Sequence, residues 1–260
     1  MLLVIDAGNT ETVFGLFEDG RLISHCRLSS RQHRTPDEWW LFLEMWCLRQ
    51  KYSTSAIEGV VISSVVPLLS DIFTKVSNEH LGLKPIVVDA DLDTGLKILY
   101  DSPRTIGADR ICNAVAGYKL YGGPLIIVDF GTAITFDVIS EVGDYLGGAI
   151  ALGLKAASQE LHRIAAKLPG VELKFPDSVV GKTTEMSIKS GIMWGTVSLV
   201  DGMIRKIAEE MNWKKFRVIA TGGVAHLIVD KIENIERVEP FLVLEGMRLI
   251  YNRLKRVGEI

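Results

Sequence analysis

The strongest constraint on this chain is a pattern that it writes twice. Leu2-Leu3-Val4-Ile5 is a short apolar run, too short and too β-branched for a helix. Asp6 follows, then a polar turn, Ala7-Gly8-Asn9-Thr10-Glu11-Thr12, and a second apolar run from Val13 to Phe17. Periodicity and turn chemistry predict a buried strand, a tight turn and a returning strand. Leu125-Ile126-Ile127-Val128-Asp129-Phe130-Gly131-Thr132-Ala133-Ile134-Thr135-Phe136 repeats the pattern. With a constant offset of 123 residues and no gap, Asp129 falls on Asp6, Gly131 on Gly8 and Thr135 on Thr12, while Glu141 and Gly143 fall on Glu18 and Gly20. The chain is therefore read as two copies of one α/β unit, each led by an aspartate-bearing hairpin.

The remaining segments fit that reading. A third strand is expected from Arg21 to Leu28. Thr35-Pro36-Asp37-Glu38 opens a helix, with Thr35 as cap and Glu38 completing a capping box. Strands are expected at Ile57–Val66 and Pro85–Asp89 with a helix, Leu68–His80, between them. A small-residue helix starts at Gly107-Ala108-Asp109-Arg110, and Gly122-Gly123-Pro124 ends it. In the second copy a helix is expected over Leu154–Leu168, another from Met186 to Met211, and a strand from Phe216 into Thr221-Gly222-Gly223, with a helix after it. The tail, Phe241–Arg253, reads as a final amphipathic helix. Strands and helices in alternation predict mixed sheets flanked by helices, and the length of 260 residues suits two domains. These are placed at 1–117 and 118–260.

Composition excludes several functions. A net charge of −3 with scattered Lys and Arg offers no nucleic-acid footprint. Three widely spaced cysteines make neither a disulfide framework nor a zinc site and suit a reducing cytoplasm. No apolar stretch is long enough for a membrane helix, and Asp6 interrupts the N-terminal apolar run where a secretory signal would need to continue.

The chemistry gathers at the turns. A turn with backbone N–H groups and hydroxyls suits phosphate, and its aspartate suits a hydrated cation. Two such hairpins with two carboxylates imply a nucleotide phosphate chain with a cation between. Gly181-Lys182-Thr183 is not a Walker A motif, because Pro176 stands where the upstream glycine is required. Thr183 or Thr184 followed by Glu185 fits helix capping.

The pattern D-x-G-x-T, D-x-G-T-x-x-T and T-G-G resembles the actin, Hsp70 and sugar kinase superfamily of two RNase H-like domains. Within it, D-A-G-N-T at 6–10, G-A-D-R at 107–110, D-F-G-T-A-I-T at 129–135, G-G-A-I at 147–150 and T-G-G at 221–223 resemble type III pantothenate kinase over nearly the whole chain. That resemblance implies the actin-like ATPase fold and phosphorylation of pantothenate by ATP, the first step towards coenzyme A. It makes Asp109 the general base, and Tyr100, Gly107, Ala108, Asp109, Arg110 and Thr184 the pantothenate site. Arg110 would pair with the substrate carboxylate. Asp6, Ala7, Gly8, Asn9, Thr10, Glu11, Thr12 and Val13, joined by Thr132, would hold the ATP phosphates. Asp129 would bind a monovalent cation, K⁺ or NH₄⁺, and Asp6 would orient Mg²⁺. A cytoplasmic homodimer, with no nucleic-acid or membrane partner, is implied. One departure stands out: Leu152 occupies the proline position of the family's G-G-x-I-x-P-G motif. The rival readings are a kinase acting on another small alcohol and a non-catalytic nucleotide-binding regulator.

Overall fold

The computed structural model describes residues 1–165, 168–258 and 260. It divides into two compact units, Met1–Lys119 with Leu242–Ile260, and Leu120–Phe241. Each holds one mixed five-stranded sheet flanked by helices.

In the first unit the strands are β1 (Leu2–Ala7), β2 (Glu11–Glu18), β3 (Arg21–Ser29), β4 (Gly59–Ser64) and β5 (Ile86–Val87), in the order β3-β2-β1-β4-β5. β1 runs antiparallel to β2 and parallel to β4. Helices α1 (Pro36–Arg49) and α2 (Pro67–Val76) pack Trp39, Leu43, Leu69 and Phe73 against Leu3, Ile5, Phe14 and Leu16 on one face. The expected capping box at the start of α1 is present: the Glu38 N–H donates to Thr35 Oγ1 at 3.3 Å, and the Thr35 N–H donates to Glu38 Oε2 at 2.7 Å. α2 continues into a π-helical turn, Ser77–Leu81, so the helical stretch runs close to the expected His80.

Helix α3 (Ala108–Tyr121) begins at the predicted small-residue segment. The second unit repeats the first as β6 (Leu125–Phe130), β7 (Ala133–Ile139), β8 (Tyr145–Leu152), β9 (Arg217–Thr221) and β10 (Arg237–Val238), in the order β10-β9-β6-β7-β8. The antiparallel and parallel pairings around β6 match those around β1. Its core joins Ile126, Val128, Phe130, Ile134 and Phe136 to helix α4 (Leu154–Ile164) and to Ile192, Met193, Val197, Val200 and Ile204 of helix α5 (Thr184–Glu210). The expected helix over Leu154–Leu168 thus holds to Ile164; Ala166 and Lys167 lie outside the described residues. β8, over the glycine-rich Tyr145–Leu152, and β10 are strands that the sequence periodicity does not predict. After Thr221-Gly222-Gly223 the chain makes two short 3₁₀ turns, Ala225–Leu227 and Val229–Lys231, where a helix was expected.

The last helix, α6 (Leu242–Val257), packs on β1 and β4 of the first unit. Three glycine positions let it approach. A side chain at Gly15 would meet Leu244, and one at Gly59 would fall inside the Tyr251 ring. The third is Gly246, whose missing β carbon leaves room for the Cys112 carbonyl of α3.

The gapless repeat fails at one point. β1 and β2 pair Asp6 with Val13, whereas β6 and β7 pair Asp129 with Thr135. The Gly8 N–H donates to the Glu11 carbonyl, but the Gly131 N–H donates to the Ala133 carbonyl, one residue nearer. The second turn is one residue shorter, so Thr135 is the structural counterpart of Val13 and not of Thr12. A one-residue slip moves a strand side chain to the other face, which puts Thr135 beside Asp129. The next turn is longer: Asp19-Gly20 closes the first copy, while Ser140 to Asp144 closes the second. That restores the offset, and Gly20 and Gly143 both adopt the left-handed conformation, at φ +77° and +93°.

Candidate active site

In the first unit the site is built where β1 and β4 end and α3 begins. Asp6 and Ser63 are register partners on parallel strands, so their side chains share a face. The Ser63 hydroxyl, fully buried, donates to Asp6 Oδ1 at 3.0 Å. The turn after Asp6 is closed by the Gly8–Glu11 hydrogen bond and braced from just past the end of β3, where Ser30 hydrogen-bonds Thr12 through their hydroxyls at 2.8 Å and its N–H donates to the Thr10 carbonyl at 3.0 Å. Asn9, at the tip, is exposed. Thr12 is fully buried with its hydroxyl held by Ser30, so it fixes the base of the turn, while Asn9 and the partly exposed Thr10 form its outer side.

Asp109 lies in the first turn of α3, where a carboxylate is favoured by the helix dipole. Its Oδ1 accepts the Arg110 N–H at 2.8 Å. Burial nevertheless raises its carboxyl above the usual range, outweighing that hydrogen bond and the Arg110 charge. A base of higher pKa accepts a proton more readily near neutral pH. Gly107 is required here: a β carbon would collide with Asp109 Oδ1 and lie 3.2 Å from Val65 Cγ1. Arg110 is only 8% exposed, whereas Tyr100 is 37% exposed.

One residue connects the two carboxylates. Cys112 is fully buried one turn into α3, and burial, then the charges of Asp6 and Asp109, push its thiol well above its ordinary value, against a smaller opposing effect of the Ser63 hydroxyl. A neutral thiol therefore stands near both acids. The fold thus brings Asp6 at the head of the turn and the α3 aspartate, about a hundred residues apart in sequence, close to the buried Cys112 in one unit. Ser63 and Cys112 were not singled out from sequence. The available signal was the pair Ser63-Ser64 closing an otherwise β-branched strand.

In the second unit Asp129 lies at the end of β6, in register with Thr135 on β7 and Thr221 on β9. Gly222, at φ +97°, has no β carbon; one would strike Asp129 Oδ1 and the Phe130 backbone. Gly153 packs in the same way against the carbonyls of Gly131 and Thr132. The close approach therefore belongs to Gly153, while Leu152, 59% exposed, ends β8 opposite Ala133. Thr132 is exposed at the turn. At the start of α5, Thr183 is the cap, its Oγ1 accepting the Met186 N–H at 3.2 Å, so the exposed Thr184 does not serve that purpose.

The donor sets can be tested against the implied cations. Asp6 is a single carboxylate at the head of a polar turn, a donor set that would fit Mg²⁺ only with oxygens from another source completing its shell. Asp129 is a carboxylate pressed against backbone, and the Oγ1 of its cross-strand neighbour Thr135 is buried without a hydrogen-bond partner. That arrangement suits a weakly charged cation held by oxygen. Among the described residues no group of three or more His, Cys, Asp and Glu could hold a metal, and no helix is long and apolar enough to cross a membrane.

Comparison with known proteins agrees with these features. A ROK family glucokinase from Streptomyces griseus, solved with glucose and AMPPNP, superposes with a TM-score of 0.54 at 13% identity, over 98% of this chain and 99% of its own. A conserved putative Baf family transcriptional activator from Campylobacter jejuni gives 0.62 at 20% identity, over 99% and 100%. At such identities the likeness is one of fold, and it agrees with the actin-like fold that the sequence resemblance implied and with the duplication read from the repeat. A type III pantothenate kinase from Moorella thermoacetica is 47% identical over 253 residues, 97% of this chain and 99% of its own. The family model for type III pantothenate kinase matches residues 2–206, and with that match the chain belongs to the type III pantothenate kinase family.

Proposed function

We propose that the protein transfers the terminal phosphoryl group of ATP to the primary hydroxyl of pantothenate, giving 4'-phosphopantothenate and ADP at the entry to coenzyme A synthesis. The observation that supports this reading is that Asp6, at the head of a closed polar turn and held by Ser63, and the desolvated Asp109 carboxylate both lie close to the buried Cys112. Phosphoryl transfer needs little covalent help, so positioning and charge account for most of the rate.

In this reading the turn from Asp6 to Val13, with Thr132, holds the ATP phosphates. Asp109 accepts the pantothenate hydroxyl proton as the oxygen–phosphorus bond forms and the bond to the ADP oxygen breaks. Its raised pKa favours that transfer. Gly107 and Ala108 line the acceptor side and keep it narrow, Arg110 pairs with the pantothenate carboxylate, and Tyr100 and Thr184 complete the contacts. Mg²⁺ at Asp6 and a monovalent cation at Asp129 supply positive charge against the phosphates when bound. The Ser63 hydroxyl fixes the Asp6 carboxylate in orientation before any ligand arrives. The active form is a cytoplasmic homodimer.

The test is product detection with ATP, Mg²⁺ and pantothenate, in K⁺ and then in Na⁺, for the wild type and Asp109→Asn. The expected result is phosphopantothenate in K⁺, with turnover reduced about 10²–10⁴-fold in the variant and ATP binding retained. Wild-type turnover by Asp109→Asn, or no reaction with pantothenate, would overturn the assignment.

A further inference from the structure

The two copies of the hairpin treat their aspartates differently, and the difference assigns a residue. In the first copy Asp6 lies between Val13 on β2 and Ser63 on β4, and the Ser63 hydroxyl donates to it. In the second copy Asp129 lies between Thr135 on β7 and Thr221 on β9. Thr221 stands where Ser63 stands, but its hydroxyl donates to the Glu239 carbonyl at 2.7 Å. Thr135 stands where Val13 stands, and its Oγ1 is buried with no hydrogen-bond partner. Directly opposed residues of an antiparallel pair share a face, with β carbons roughly 5 Å apart. A second oxygen is therefore held beside a carboxylate without hydrogen-bonding to it.

Burying an unsatisfied hydroxyl is destabilising, and valine, already present at this position in the first copy, would avoid that cost. A cation removes it. One carboxylate with neutral oxygens carries a single negative charge, which matches a monovalent ion better than a divalent one, since affinity follows ligand charge. Gly222, which has no β carbon, leaves the space beside Asp129 Oδ1 free of a side chain at that position.

We propose that Thr135 Oγ1 is the neutral protein ligand that, with the Asp129 carboxylate, holds the monovalent cation and sets its affinity. The proposal rests on the reading of Asp129 as the cation site. Its test compares wild type, Thr135→Val and Thr135→Ser by thermal melting in KCl titrations against choline chloride at constant ionic strength, alongside K⁺ activation of phosphoryl transfer. The wild type melts higher with K⁺. Thr135→Val, without its orphaned hydroxyl, melts at or above the wild type in choline chloride, yet needs at least about tenfold more K⁺ for half of the effect, the scale expected on losing a supporting group at a metal site. Thr135→Ser keeps the hydroxyl and stays near the wild type. A Thr135→Val protein that responds at wild-type K⁺ concentrations overturns the proposal. A wild type whose melting ignores K⁺ overturns both the proposal and the cation reading beneath it. Phosphorylation of pantothenate in that same protein would leave the kinase reading intact.

Discussion

Substituting Gly107 by alanine isolates the support of the proposed base, Asp109, from the stability of the fold. The Gly107 backbone does not adopt the left-handed conformation, so alanine imposes no backbone strain there and its effect is one of contact. The new β carbon would overlap Asp109 Oδ1, and Val65 Cγ1 at 3.2 Å hinders escape. The carboxylate, at the end of a side chain, is the part that can yield, and it must move on the order of 1 Å. Displacement breaks the 2.8 Å hydrogen bond from the Arg110 N–H. A hydrogen bond to a charged group contributes about 1.5–3 kcal/mol, and part of this returns as the carboxylate gains water. A misplacement of about 1 Å costs roughly 10²-fold in rate, which is about 2.7 kcal/mol of barrier. Gly107→Ala is therefore expected to lose about two orders of magnitude in kcat, to melt within a few degrees of wild type, and to bind ATP normally because the Asp6–Val13 turn is untouched. ADP-release kinetics with pantothenate and ATP varied separately, together with circular dichroism melting, would measure this. Wild-type kcat would refute the reasoning. So would a defect confined to the KM for pantothenate, which would make Gly107 a wall of the acceptor site and not the support of the base.

Two further outcomes follow from the same contacts. Gly246→Ala would drive a β carbon into the Cys112 carbonyl, which cannot swing away as a side chain can; overpacking of this kind costs about 1–3 kcal/mol, so melting temperature and kcat should fall together, in contrast to Gly107→Ala. Asp109→Asn should be more stable than wild type at neutral pH. Burial raises the folded-state pKa of Asp109, so the folded protein binds that proton more tightly than the unfolded chain. Its contribution is undiminished below the unfolded carboxylate pKa of about 3.9. It is lost as pH rises through the folded value, so the stability advantage of the variant should grow from about pH 4 upward and then level. The acid limb of wild-type kcat/KM should lie above the ordinary carboxylate range for the same reason. A stability difference that does not change with pH would contradict the cause assigned to the shift.

The sequence alone determined the features that rest on local periodicity and turn chemistry. The two hairpins, the capping box at Thr35 and Glu38, the start of α3 at Gly107 and the duplication were legible, because each is written in consecutive residues. Asp109 could be marked as an acid at a helix start, but not as a desolvated one. Only tertiary structure decided its desolvation, its nearness with Asp6 to Cys112, and the donation from Ser63 to Asp6 across 57 residues. It also decided that α6 packs on the first sheet, a matter of small residues at Gly15, Gly59 and Gly246 meeting large ones far along the chain. The face on which Thr135 lies was the finest of these distinctions. Strand side chains alternate, so one residue fewer in a turn exchanges the faces. A gapless repeat hides that deletion, and only the ladder itself shows Thr135 opposite Asp129.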